Sequence, residues 1–159
     1  MNTLFLLHLF LILHIIGISL MVGTSVVEMF TFGAFRRSLN RGDGASIVLL
    51  DHLSRLGVLL GIGAALLVLS GTGMLFLTRG VFVHQGWFKV KLVLVAILLL
   101  NGFGFGSRQM ARLKKLMQPA PTGIPLDAAV LETLTKVRLF YVLQLLIFLV
   151  IIGLSVANV

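Results

Sequence analysis

"GWFKVKLVLVAILLL", residues 86–100, sets two lysines at the mouth of an unbroken apolar run. Sixteen residues without charge follow Lys91, and Trp87 stands before the lysines as an interfacial anchor of the kind found at lipid headgroups. A helix over this run is therefore predicted to enter a bilayer, and the same reading extends along the chain. Spans are predicted near 4–30, 56–77, 87–106 and 139–157, since about 20 helical residues cross the hydrocarbon core.

Composition agrees. Of 159 residues, 58% are hydrophobic and 11% charged, where a soluble domain is about a quarter charged. No soluble core hides so much apolar surface, so part of the solvent must be lipid. Cysteine is absent, which excludes disulfides, thiolate metal sites and thiol catalysis. The net charge of +8 invites a nucleic-acid reading, but the cations flank apolar runs, where charge sets membrane orientation instead.

The connections predict the topology. The stretches 31–55 and 107–138 hold 10 of the 13 Lys and Arg residues, on one membrane face. Arg79, Lys89 and Lys91 fall on the other. The positive-inside rule then places both basic loops in the cytosol and both termini outside, in a bacterial-type inner (plasma) membrane. The first span lacks a basic n-region and a small-residue cleavage site, so it reads as retained. The expected fold is all-α: one integral membrane domain over 1–159, a four-helix up-down bundle. "RQMARLKKLMQ" reads as a cationic surface helix ended by "PAPTGIP", with Asp127 or Thr133 starting the last helix. No internal repeat is evident.

Ionisable groups inside spans are functional candidates. His14 lies roughly 15 Å into the first helix at 1.5 Å per residue. Met21, Ser25 and Glu28 follow at about 340°, 20° and 320° relative to it, one stripe facing the interior. His14 is the candidate metal or haem-iron ligand; the alternative is a histidine hydrogen-bonded to a neighbouring helix. Glu28 is expected to pair with Arg55 or Arg36, or to relay protons. Lys89 can snorkel to the headgroups. Lys91 points roughly 200° away from it, and either turns inward, where it can meet a carboxylate or a quinone oxygen, or snorkels as Lys89 does.

Arg138, Tyr141 and Gln144 recur every third residue of the last helix, as donors to a ligand or as interhelical glue, and Asn101 is glue of the same kind. Gly57, Gly61 and Ala65 form a small-residue stripe that favours close helix packing. "NGFGFG" at 101–106 ends a span and follows no strand, so it is no nucleotide loop. His8, Met29 and Met74 raise the possibility of copper without clustered spacing. His52 and His84 look incidental, and Asp51 and Ser54 read as capping chemistry.

"LILHIIGI" around His14, "LVLSGTGMLFL" and "GWFKVKLVLVAILL", in this order, resemble the HemJ-type protoporphyrinogen oxidases and their CopD-like four-span relatives. The resemblance covers most of the chain in hydropathy and the first three spans in motif. It implies b-type haem, electron transfer toward quinone or a respiratory chain, and a functional pair at His14 and Lys91. The chain departs from that pattern after residue 18, where small residues and Glu28 replace a tryptophan and a Pro-Arg-like step. Three functions follow as expectations. The first is a haem-b redox protein using His14, Lys91, Glu28, Met21, Tyr141, Gln144 and Arg138, with quinone as acceptor. The second is a non-catalytic subunit of a larger membrane complex, and the third is copper or small-solute transport. A homodimer would thicken so thin a bundle around a macrocycle.

Overall fold

The computed structural model describes residues 2–81, 83–117 and 128–157. It is all-α: α1 (Thr3–Arg41), α2 (Ala45–Leu77), α3 (Gly86–Leu99), a π-helical segment (Leu100–Gly106), α4 (Ser107–Met117) and α5 (Ala128–Ala157). Four helices, with α3 and α4 continuous through the π segment, are long and apolar enough to cross a membrane. The fold is a four-helix bundle of the membrane type.

α1 and α2 run far beyond the stretches read as spans. At 1.5 Å per residue α1 is about 58 Å long, twice a bilayer core of about 30 Å. Residues 31–41 stay helical because they contain no proline and bury Phe32, Phe35 and Leu39 on one face. The helix stops at Gly42, which adopts a left-handed φ of 69°. Its N–H bonds the Leu39 carbonyl at 3.1 Å, and the Asp43 N–H bonds that of Ser38 at 3.4 Å. This is a Schellman cap. The loop expected over 31–55 is thus a turn at residues 42–44 between two long helices. The cationic helix expected near 108–118 is α4, with Leu113 and Met117 buried. "PAPTGIP" and Asp127 lie outside the described residues.

Two clusters make the core. At the end carrying the α1–α2 turn, called here the basic end, Phe32, Phe35, Leu53, Leu113, Val137 and Tyr141 pack together from α1, α2, α4 and α5. Toward the end carrying the termini, Met21, Ala64, Leu98, Ile147 and Phe148 form a smaller cluster. α1 packs along the length of α2 and against α5, while α3 packs chiefly on α5 and forms no extended interface with α1 or α2.

Candidate functional site

The contact between α1 and α2 is close enough to be backbone on backbone. A Cβ at Gly17 would lie 3.0 Å from the Leu67 nitrogen and 3.1 Å from the Gly63 oxygen. One turn toward the termini, this approach brings His14 against Ser70. The Ser70 hydroxyl donates to the Leu66 carbonyl at 2.6 Å. Having a single proton, it accepts in its other bond, so His14 Nδ1, 3.0 Å away, is the donor there. This arrangement suits the tautomer protonated at Nδ1.

On α3, Lys91 is half-buried and in electrostatic reach of His14, whereas Lys89 is exposed. The inner lysine is thus within electrostatic range of the imidazole, without a hydrogen bond or ion pair between them. Ser70, Gly17 and Gly63 complete this arrangement, and the sequence reading singled out none of them. Gly17 and Gly63 carry a signal after the fact, as small residues where two helices cross.

A second feature lies toward the basic end. A cavity of about 410 Å³ is walled by α1, α2, the α3–π edge, α4 and α5. Met21, Glu28, Tyr141 and Gln144 line it, and His14 and Lys91 do not. Glu28 is 4% exposed and Gln144 is 1% exposed. Gln144 Oε1 accepts from Asn101 Nδ2 at 3.0 Å, which bears out interhelical glue at both positions. Its Nε2 is buried without a partner, as is Ser25 Oγ. Tyr141 is close enough to Glu28 to feel its charge, and its ring centroid sits 5.6 Å from Phe32 and 5.0 Å from Phe140.

The interior stripe on α1 is observed: Met21, Ser25 and Glu28 are buried and His14 is half-buried. Three other expectations are corrected. Glu28 pairs with neither Arg55 nor Arg36. Among the described residues the ion pairs are Arg55–Asp51 at 3.0 Å and Lys136–Glu132 at 2.5 Å, both one helical turn apart on the surface. Arg138 is exposed and does not share the face of Tyr141 and Gln144. Steps of three drift about 60° each around an α-helix, so Arg138 and Gln144 differ by about 120°. The Gly57–Gly61–Ala65 stripe is not the packing face: a Cβ at Gly57 or Gly61 meets nothing within 4 Å, and Ala65 is exposed. His8 is exposed and its Nδ1 donates to the Leu4 carbonyl at 2.7 Å. No group of three or more His, Cys, Asp or Glu capable of holding a metal ion occurs among the described residues.

Comparison with protein-family models, with curated proteins and with solved structures finds no match to this chain.

Proposed function

We propose that the bundle is a membrane haem-b redox protein in which His14 would ligate the iron and Lys91 would pair with a porphyrin carboxylate. The observation that carries this reading is the Leu66–Ser70–His14 chain of hydrogen bonds, which holds the ring through Nδ1. Metal-bound histidines are characteristically held in this way through the other ring nitrogen. The donor set suits a haem better than a bare ion. A porphyrin brings its own four nitrogens, so one imidazole suffices, while a naked copper or zinc ion takes three or four protein ligands.

Bound haem supplies one-electron chemistry, and the protein's part is placement and electrostatics. Ser70 holds the imidazole plane. Lys91 neutralises a carboxylate that would otherwise enter the membrane unpaired. With the positive-inside orientation this site lies in the extracytoplasmic half of the bilayer, and the resemblance to the HemJ-type oxidases makes a membrane quinone the electron acceptor.

Expression with ample haem, followed by absorbance and a pyridine haemochrome assay, tests the reading. A Soret band and b-type haemochrome are expected, lost in His14→Ala and retained with altered shape in Ser70→Ala. Purified wild-type protein without a Soret band would overturn it, and an unchanged spectrum in His14→Ala would remove His14 as the ligand.

A further inference from the structure

Glu28 stands 14 residues beyond His14 on α1, about 21 Å along the axis at 1.5 Å per residue. It therefore belongs to a different site. A buried carboxyl group on a membrane helix needs a partner, and among the described residues no ion pair to Glu28 forms. From α2, Ser54 and Gly57 face the cavity, and nearby Arg55 is held outside by Asp51. From α5 come Tyr141 and Gln144. The π segment adds glycines and Phe103 but no charge. Lys114 of α4 lines the cavity without forming an ion pair to Glu28, and the next cation on α1, Arg36, lies two turns away.

The remaining walls are apolar and aromatic. Phe103, Phe140 and Tyr141 are all at the cavity surface. Aromatic faces attract cations, most strongly where water is excluded. The amide pair of Asn101 and Gln144 can turn over in concert, so its cavity end accepts as readily as it donates. Gly57 and Gly61 of α2 and Gly102 of the π segment line the cavity, and a Cβ at any of the three would meet nothing within 4 Å. The volume of about 410 Å³ falls in the range of small-molecule sites, roughly 300–1,000 Å³.

We propose that this cavity binds a lipophilic monocation, an organic amine or onium ion, with Glu28 as its counter-ion. The site is independent of the haem reading.

Two probes of equal shape and opposite charge test it on the full-length protein in lipid nanodiscs: tetraphenylphosphonium and tetraphenylborate. Saturable binding of one phosphonium per chain is expected, with no matching uptake of the borate. Glu28→Gln should weaken phosphonium binding about tenfold or more, the scale of a desolvated ionic contact. Gly61→Leu, which keeps the charge but narrows the cavity, should weaken it too. His14→Ala should leave it unchanged, so that loss of haem and loss of cation binding are read separately. Absence of saturable phosphonium binding would overturn the proposal. So would equal binding of both probes, or wild-type affinity in a folded Glu28→Gln protein.

Discussion

The two ends of the bundle are held together by different forces. At the basic end, side chains from four helices converge until Phe35 and Leu113 are fully covered. Toward the termini most apolar side chains point outward, Leu69 at 68% and Leu149 at 70% exposed, and few are buried. The helices reach past the thickness of the bilayer, so the basic end has to fold in water, where burying apolar surface is the dominant gain. In lipid there is no such gain, because an outward leucine is already in hydrocarbon. Association there depends on close backbone approach and on a few hydrogen bonds.

The largest effect should come from truncating the water-side core. Phe35→Ala is expected to cost about 3–5 kcal/mol, the range for a buried aromatic. Leu69→Ala should change stability by no more than about 0.5 kcal/mol, as for an outward-facing side chain. Reversible unfolding of both variants in mixed micelles, with helicity as the readout, compares them directly. Equal losses would mean that both ends are packed alike.

The membrane side should be broken by a smaller change. Gly17→Ala places a methyl group against the α2 backbone, which cannot rotate away as a side chain can. A cost of about 1–3 kcal/mol is expected for such overpacking. A Cβ at Gly23, two turns further on, meets nothing within 4 Å. Gly23→Ala should therefore be neutral or stabilise by about 0.5–1 kcal/mol through helix propensity. Thermal melts of the pair settle whether the Gly17 contact holds α1 to α2.

Much of this was legible in the sequence. Apolar run lengths gave the four helices, and the 100° helical step gave the inward face of Met21, Ser25 and Glu28. The turn chemistry carries more. Gly42 followed by Asp43 is a helix stop, and placing the α1–α2 turn there fixes an antiparallel register. Residues facing each other then have numbers that sum to about 84, twice 42. His14 meets Ser70, Met21 meets Gly63, and Phe10 meets Gly73 in this register. A loop over 31–55 has no such register. Arg138 departs from the expected face for a related reason, because a period of three does not stay on one helical face. The cavity was not legible at all, since it depends on how far α3 stands from α2, which no local pattern encodes.

The smallest effect concerns the one interhelical amide bond at the cavity wall. Asn101 sits in the π segment and Gln144 on α5, and their 3.0 Å bond ties the two across the membrane interior. Such bonds between membrane helices average about 0.6 kcal/mol. Asn101→Leu alone should cost somewhat more, about 1–2 kcal/mol, because it leaves the buried Gln144 amide with no partner. The double variant Asn101→Leu, Gln144→Leu removes both polar groups and should recover most of that loss. If the double variant is instead worse than the sum of the singles, the amide pair is holding the π segment in shape. The cavity would then be a consequence of that bond rather than of the glycines beside it.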